Sequence, residues 1–521
     1  VCIAPGAYKQ HFGFCMLRTP RNIIRLTTIA RTLARHNAVE ALEALGLPKF
    51  LVWVLRQIEP SVPNGSLGTR LATAAVALGP SFIKLGQALS TRSDLLGAEM
   101  AADLGQLRDR LPPFSTEQAR AVVEAELGTR IQDSFAEFDD QPAAAASIAQ
   151  VHFATTQDGH SVAVKILRPA IEQAFARDID LLLWVAEWIV HAKPTWRRLR
   201  LRESVETFAS MVQVEMDLRL EAAAASELAE NFHDDPSYKV PTVDWSRTSR
   251  RVLTTARVHG TPIDQVQNLA TAGHNLDEVL QSASRAMFKQ VFRDGFFHGD
   301  PHPGNLFVDS DGVINAVDFG IMGRLDRQSR RYLAEMILAI LTRDYERAAR
   351  LHFQAGYVPK DKSIGTFTLA LRSIAEPILD KPAGDISIGR LLGQLFHITE
   401  TFGMETQPHL LLLQKVMVVA EGVGRTLNPE VNMWQVAQPL IEEWIIANKN
   451  PETHLRELGG LVSEIVQRGP RFLANAELAL ENTNQMIQSK KKHDLNSRLR
   501  EGWMWAAIGV VALLALYALA D

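Results

Sequence analysis

The sequence HGDPHPGN occupies residues 298–305, and DFG follows at residues 318–320. Asp300 therefore precedes Asn305 by five positions and Asp318 by eighteen. Phosphoryl transfer uses a carboxylate near the acceptor, together with an amide oxygen and a second carboxylate that hold Mg²⁺ against the phosphates. The kinase catalytic loop, D-x-x-x-x-N followed by D-F-G, supplies these groups in this order. The pattern predicts a kinase-type site in which Asp300 is the base or positions water, and Asn305 and Asp318 bind Mg²⁺.

Two histidines in the same stretch allow another interpretation. His298 and His302 could bind a metal ion, because a spacing of four residues brings two side chains to one face of a helix. The stretch also contains two prolines and two glycines, which disfavour a helix. The kinase interpretation therefore explains more of the motif.

A lysine upstream completes the expected nucleotide site. VHFATT (151–156) and SVAVKIL (161–167) are apolar, β-branched runs separated by Asp158-Gly159, which predicts a β-hairpin. Lys165 ends the sequence VAVK, where kinases carry the lysine that binds the α- and β-phosphates. One long helical stretch is predicted from about residue 171 to 233, and Glu221 within it is the candidate ion-pair partner. Lys165 is therefore assigned to both nucleotide binding and catalysis.

The segment before this hairpin is rich in alanine instead of glycine. A phosphate-covering loop is expected here, and glycine lets backbone N–H groups approach a nucleotide most closely. By composition alone, a plain helical turn is the alternative. The predicted nucleotide-binding loop comprises Ala143, Ala144, Ala145, Ala146, Ser147, Ile148, Ala149, Gln150 and Val151.

Two further motifs carry a resemblance to a known family. Lys84-Leu85-Gly86-Gln87 resembles a K-x-G-Q motif, and Glu215-Met216-Asp217 resembles an E-x-D motif. Together with the alanine-rich loop, HGDPHPGN and Glu221, these motifs resemble the UbiB family of atypical kinases, the aarF-like group that includes the mitochondrial coenzyme Q kinase-like proteins. The resemblance extends from about residue 78 to 444. Ala256 departs from it, because an acidic hinge residue is usual there.

The resemblance implies an architecture. It implies an α+β, helix-rich, protein-kinase-like fold of two lobes, in which the K-x-G-Q segment covers the active site where a protein kinase binds its peptide. Lys84 would then point at Glu215, Asp217 and the nucleotide and would take part in catalysis, with Gln87 in the same regulatory segment. On the residues alone, Lys84 would be an ordinary solvated helix lysine.

The resemblance also implies an activity. It implies an atypical kinase or ATPase that uses ATP and Mg²⁺ and supports ubiquinone (coenzyme Q) biosynthesis, by ATP hydrolysis or by phosphoryl transfer to a small or lipid acceptor. Membrane lipids, polyprenylated phenol or quinone precursors and other ubiquinone-biosynthesis proteins are the implied partners. Few residues separate Gly320 from the helix start near Asp326-Arg327, and no A-P-E segment follows, which disfavours a peptide substrate. A protein kinase that regulates the ubiquinone pathway and a non-catalytic lipid-binding scaffold are the open alternatives.

The carboxyl-terminal segment predicts a membrane anchor. Residues 503–520 carry no charge, and at about 1.5 Å per residue they span roughly 27 Å, close to the hydrocarbon thickness of about 30 Å. Trp503 and Trp505 would lie at the interface, and lysines and arginines at residues 490–500 favour a cytoplasmic location for the rest of the chain. We expect a single-pass protein of the inner (cytoplasmic) membrane. A buried core helix is the alternative.

Composition limits the possible partners. The 521 residues contain 55 Lys and Arg and 59 Asp and Glu, and the net charge of −4 gives no global basic field for nucleic acid. The only cysteines, Cys2 and Cys15, cannot staple the body of the fold.

The predicted organisation is an N-terminal helical segment (1–66), a helical extension with K-x-G-Q (67–142), a kinase-like N-lobe (143–262), a helical C-lobe with the catalytic loop and DFG (263–488), and a basic juxtamembrane segment with the transmembrane anchor (489–521).

Overall fold

A computed structural model describes residues 15–44, 49–58, 65–90, 96–105, 107, 111–192, 200–379, 398, 401–404, 408–430 and 439–444. These residues lie within one compact unit, Val1–Ile445. Within these ranges no helix combines the length and the apolar character needed to cross a membrane. The predicted anchor at 503–520 lies outside the described residues, as does the rest of the segment 489–521.

Helices dominate the described chain and short strands form its sheets. The helices are α1 (Cys15–Arg35), α2 (Val39–Ala44), α3 (Lys49–Leu55), α4 (Leu67–Leu78), α5 (Pro80–Ser90), α6 (Ala98–Gly105), α7 (Thr116–Leu127), α8 (Ile131–Ser134), α9 (Ile171–Ala192), α10 (Leu201–Glu215), α11 (Leu218–Asn231), α12 (Val266–Thr271), α13 (Leu276–Phe288), α14 (Arg327–Leu341), α15 (Tyr345–Gln354), α16 (Ile364–Leu379) and α17 (Pro408–Leu427). The strands are β1 (Phe135–Phe138), β2 (Ala144–Ala145), β3 (Ala149–Thr156), β4 (Ser161–Leu167), β5 (Tyr238–Lys239), β6 (Val252–Ala256), β7 (Thr261–Pro262), β8 (Phe296–His298), β9 (Leu306–Val308), β10 (Ile314–Ala316) and β11 (Met322–Arg324).

The first sheet is antiparallel, with the order β1-β3-β4-β6 and with β2 also paired to β3. The hairpin β3–β4 forms where alternating apolar residues and Asp158-Gly159 predict it. Strand β1 lies within the segment predicted to be helical extension (67–142), so that prediction misses it. β1 has only four residues and is held by pairing with β3, which no local pattern reveals.

Both faces of this sheet are buried. Val164 and Ile166 of β4 pack with Val123 of α7 on one face. On the other face, Leu253 of β6 packs with residues of the helices that follow the hairpin, among them Phe175 and Ala222. Burial of an apolar side chain of this size contributes about 1.5–3 kcal/mol, so these contacts fix the sheet between two helical layers.

The helical stretch predicted over residues 171–233 is not one helix. Helix α10 ends at Glu215, and α11 begins after Asp217. Asp217 has an extended backbone, and its carboxylate accepts a hydrogen bond from the N–H of Arg219, which makes it the N-cap of α11. The prediction of a continuous helix is therefore wrong at the E-x-D motif, because Asp217 stabilises a helix start better than a helix interior.

A second region contains two small sheets, β5-β10-β9-β7 and β11-β8, beside helices α12 to α17. Phe319 of the DFG sequence is buried in its core with Leu228 of α11 and Ile263. The same core thus joins the DFG segment to the helix that carries Glu221.

Candidate active site

Side chains along β4 point alternately to the two faces of the sheet, and this alternation sets the direction of Lys165. Val164 and Ile166 are buried on one face of the strand, so Lys165 between them projects from the opposite face. There its Nζ lies 2.7 Å from Glu221 Oε1 and 2.9 Å from Asp318 Oδ1. Lys165 and Glu221, which the sequence assigns to one ion pair, are therefore in contact, and Asp318 joins them.

The pKa values of these three side chains are shifted in different ways. Burial opposes the charge of Lys165, but the carboxylates of Asp318 and Glu221 outweigh it and raise the pKa of the ammonium. Lys165 in turn holds the pKa of Asp318 well below its usual range. Burial raises the pKa of Glu221, against the opposing effect of Lys165. Asp318 is therefore the firmly ionised carboxylate of the group, and Lys165 is a cation.

Two pairs of strands assemble the catalytic loop. Strand β8 pairs with β11, Met322 lying opposite His298, and this pairing brings the start of the loop beside the residues that follow DFG. Strand β9 pairs with β10, and the N–H of Val317 donates to the carbonyl of Asn305 at 2.9 Å. The loop 299–305 and Asp318 are thus held next to each other from both sides.

His298 bridges the two parts of the site. The N–H of Asp300 donates to His298 Nδ1 at 3.0 Å, and the opposite ring nitrogen, Nε2, lies 3.1 Å from the carbonyl oxygen of Val317. Burial lowers the pKa of His298, which favours the neutral ring. A neutral ring with its proton on Nε2 satisfies both contacts. His298, one member of the alternative metal pair, therefore positions Asp300 relative to the residue before Asp318.

Asp300 and Asn305 are connected through the loop backbone. Asn305 Nδ2 donates to the carbonyl oxygen of Asp300 at 3.1 Å. The Asp300 carboxylate is partly exposed, and its Oδ1 lies 2.7 Å from Nζ of Lys415 on α17. The sequence patterns do not single out Lys415, although it is the one charged residue in the run LLLLQKVMVVA, in which Gln414 is the other polar residue.

The residues present fit Mg²⁺. The side chain of Asp318 is 51% exposed, and the amide nitrogen of Asn305 is used inside the loop, so the remaining ligand atoms are carboxylate and carbonyl oxygens. Over the residues that the structure describes, no three His, Cys, Asp or Glu side chains form a metal cage. Mg²⁺ is commonly held by one or two side chains and completed by phosphates and water, and Asp318 and Asn305 match that chemistry.

The backbone of Asp318 is strained. Its φ is 64°, in the left-handed region that a residue with a Cβ rarely adopts. Such strain persists where surrounding contacts hold it and is concentrated at functional sites. Here the contact with Lys165 and the pairing of β8 with β11 hold the conformation.

The alanine-rich loop is divided into two halves. Ala143 and Ala144 are exposed and Ala145 and Ala146 are half-buried, whereas residues 147–150 are buried. The side-chain amide of Gln150 exchanges hydrogen bonds with the backbone of Phe114, so it ties the loop to the preceding segment. Val151 pairs directly with Lys165 in the β3–β4 register. The first half of the loop is thus the part whose backbone is open to a ligand.

The K-x-G-Q motif lies on α5 and contacts the E-x-D motif. Lys84 Nζ lies 2.9 Å from Glu215 Oε2, and both side chains are largely buried. The positive charge of Lys84 also contributes to the low pKa of Asp318, so α5 lies near the site. Asp217 points elsewhere, because its carboxylate pairs with Arg219.

The other two motif residues of α5 hold the helix in place. A Cβ at Gly86 would lie 2.4 Å from Cδ1 of Leu107, and Gln87 Nε2 donates to the carbonyl of Leu107 at 3.4 Å. The glycine of the motif is therefore explained by close packing. Gln87 contacts the backbone of the same neighbour instead of the charged cluster.

The segment after DFG is short. Only Ile321 separates Gly320 from β11, and α14 begins at Arg327 with Asp326 as its N-cap. The chain therefore passes from DFG into the next helix without a long connecting segment.

The fold and this site define a protein-kinase-like protein, and comparison with known proteins gives the family. Residues 106–352 match the ABC1 atypical kinase-like domain, and residues 371–432 match the UbiB helical domain. A "Probable protein kinase UbiB" of Marinobacter nauticus is 42% identical over 79% of this chain and 76% of its own length. A protein of the same name from Xylella fastidiosa is 37% identical over 91% of this chain and 87% of its own length. The chain belongs to the UbiB family of ABC1 atypical kinase-like proteins.

A solved structure has a similar fold. A Mycobacterium tuberculosis protein in complex with erythromycin aligns with a TM-score of 0.51 and 25% identity, covering 71% of this chain and 95% of that one. The predicted family and the helix-rich, kinase-like α+β fold are confirmed. The transmembrane helix predicted with them falls outside the described residues.

Proposed function

We propose that this chain is a Mg²⁺- and ATP-dependent enzyme that acts on a small or lipid acceptor, or hydrolyses ATP, in support of ubiquinone biosynthesis at the inner (cytoplasmic) membrane. The observation that carries the proposal is the contact of Lys165 with both Glu221 and Asp318. In kinases the same arrangement places the ammonium on the α- and β-phosphates and the DFG carboxylate on the metal.

Each residue would have a distinct task. Lys165, oriented by Glu221, binds the α- and β-phosphates, and the exposed half of the alanine-rich loop covers them. Mg²⁺, when bound by Asn305 and Asp318, would neutralise charge that develops on the phosphates. Asp300 lies beside the acceptor oxygen, and His298 fixes its position through the hydrogen bond to its N–H.

The reaction balances with these groups. An oxygen of water or of an acceptor hydroxyl forms a bond to the γ-phosphorus, while the bond from that phosphorus to the β–γ bridging oxygen breaks. The electron pair of the broken bond leaves with ADP, and the proton of the attacking hydroxyl passes to the carboxylate of Asp300. Asp300 then returns the proton to solvent.

Two features favour an acceptor smaller than a protein. The short passage from Gly320 through β11 to α14 provides no long segment on which a peptide would dock. In addition, the ion pair of Lys84 with Glu215 holds α5 near Asp318. A helix in that position would restrict access to a small hydroxyl compound or to water.

The pathway and the location rest on the relatives and the tail. The curated relatives are named for UbiB, and an uncharged carboxyl-terminal segment at 503–520 would hold the site at a bilayer. Polyprenylated phenols or quinones, which partition into that bilayer, are the proposed acceptors or cargo. Other ubiquinone-biosynthesis proteins are the proposed protein partners.

Protein phosphorylation is a second candidate, because the relatives carry the words "protein kinase" in their names. To separate the two, full-length chain is incubated with γ-labelled ATP and Mg²⁺, with vesicles, a polyprenylated phenol and candidate proteins. Label in free phosphate or in lipid supports the proposal, and label in protein alone supports the second candidate. Label that appears in none of them favours a scaffold, and label that persists in Asp318→Asn contradicts an active site at these residues.

A further inference from the structure

The half-exposed ion pair of Lys415 with Asp300 is not explained by the assignments above. Nζ of Lys415 lies 2.7 Å from Oδ1 of Asp300, and the two side chains are 38% and 30% exposed. Pairs with this degree of exposure contribute little to stability. Stability alone therefore does not explain why Lys415 pairs with Asp300, the carboxylate that the proposed function places beside the acceptor.

Helix α17 is fixed against the catalytic loop around this pair. A Cβ at Gly299 would lie 3.2 Å from Cδ1 of Leu412, so the helix touches the loop one residue before Asp300. Val416 lines a small cavity with His298 and Pro301. Lys415 thus projects from a helix that contacts the loop through its neighbours on both sides, and its ammonium is held at one end of the site.

The catalytic loop has no cation of its own, and Lys84 near Asp318 is paired with Glu215. The residues between Asp300 and Asn305 are Pro301, His302, Pro303 and Gly304, so the loop itself contains no lysine or arginine. Lys165 is bound to Glu221 and Asp318 and faces the α- and β-phosphates in the proposed function. Transfer of a phosphoryl group spreads negative charge over the oxygens of the γ-phosphate, and cations placed there accelerate the reaction.

We propose that Lys415 is the residue that binds the γ-phosphate and stabilises the charge that develops on it during transfer. This inference rests on the proposed function and adds a residue to the same site. The four-carbon stem of a lysine is flexible and its ammonium has three N–H donors, so Lys415 can contact Asp300 and a phosphate oxygen at once. The helical region after the kinase-like domain would thereby complete the active site.

ATP and ADP distinguish this role from a structural one, because only ATP carries the γ-phosphate. Dissociation constants of both nucleotides with Mg²⁺ are measured for the full-length chain, for Lys415→Met and Lys415→Gln, and for the matched control Lys360→Met, which removes an exposed lysine between α15 and α16. Circular dichroism checks that each variant folds. ATP turnover is measured in parallel.

The inference predicts that neutral variants at 415 bind ATP about 10- to 100-fold more weakly, with ADP affinity changed less than about twofold and turnover lowered by about 100-fold. Lys360→Met should match the wild type. Equal loss of ATP and ADP affinity, or no loss of either affinity or turnover, would overturn the role of Lys415 while leaving the proposed function in place. Absence of ATP binding by the wild type would overturn both.

Discussion

The ammonium of Lys165 lies 2.9 Å from the carboxylate of Asp318, although 153 positions separate them in the sequence. Glu221, on a third segment, contacts the same ammonium at 2.7 Å. A hairpin strand, a helix and the DFG segment therefore meet at one cation.

Replacement of Glu221 by glutamine should lower both stability and nucleotide affinity. Glu221 is buried, and its charge balances Lys165. With Asp318 still in contact, we expect a loss of about 1–3 kcal/mol in the free energy of unfolding, measured by urea denaturation. Glu227 is on the same helix but forms an exposed pair with Arg324. Glu227→Gln should therefore change the free energy of unfolding by less than about 1 kcal/mol. Equal effects of the two variants would contradict a special role for Glu221.

His298 should make stability depend on pH. Burial lowers its pKa below the value of 6.5 that it has without a protein environment. The unfolded chain therefore binds more protons than the folded chain as the pH falls through about 6.5, so stability decreases toward acid, by at most about 1.4 kcal/mol per pH unit for one proton.

Urea denaturation at pH 7.5 and at pH 5.5 measures this effect. His298→Asn should be less stable than the wild type at the higher pH but should lose less stability on acidification. His152 is also buried, and burial lowers its pKa, so it retains part of the remaining dependence. His302→Asn, at an exposed position in the same loop, is the control. Its free energy of unfolding should differ between pH 7.5 and pH 5.5 by as much as that of the wild type. If His298→Asn loses as much stability between pH 7.5 and pH 5.5 as the wild type does, the neutral, buried state of that ring is contradicted.

Glu215→Gln should loosen helix α5. Lys84 and Glu215 are both largely buried, and loss of the Glu215 charge weakens this buried contact at a cost of about 1–3 kcal/mol. Hydrogen exchange of the amides of residues 81–90 should become about 10- to 100-fold faster. Glu206→Gln removes an exposed partner of Arg202 on the same helix as Glu215 and should leave this exchange unchanged. Similar acceleration in both variants would argue against the Lys84–Glu215 contact as the anchor of α5.

Removal of residues 503–521 should release the protein from membranes, because this segment contains the uncharged stretch long enough to span a bilayer. Sedimentation of the truncated and complete chains with membranes measures the change. A truncated chain that still sediments with membranes would show that surface contacts, and not a single-pass anchor, hold the protein there.

Local patterns in the sequence predicted the parts of the fold that local forces determine. The β3–β4 hairpin follows from alternating apolar residues around Asp158-Gly159, and the spacing of Asp300, Asn305 and Asp318 indicates a kinase-type loop. The position of Lys165 in β4, and those of Asn305 and Asp318 on either side of the β9–β10 hairpin, follow from the same patterns.

Features that depend on distant partners, or on a local bond that outweighs helix propensity, were not predicted. Strand β1 exists through its pairing with β3, and the helix break at Asp217 depends on a capping bond that competes with helix propensity. The family resemblance implied that Lys84 points at Asp217, whereas Arg219, two residues from Asp217, pairs with that carboxylate. Lys415 reaches Asp300 only because α17 packs on the catalytic loop, and an isolated lysine in an apolar helix gives no indication of its partner.

If Lys165 and Asp318 form one nucleotide pocket, titration calorimetry of Mg²⁺-ATP into the 521-residue chain should detect it. We predict saturable binding by the wild type, at least about tenfold weaker binding by Lys165→Met and by Asp318→Asn, and wild-type binding by Lys360→Met. Equal affinity of the wild type and Lys165→Met, or no binding by the wild type, would show that Lys165 and Asp318 do not form a nucleotide pocket.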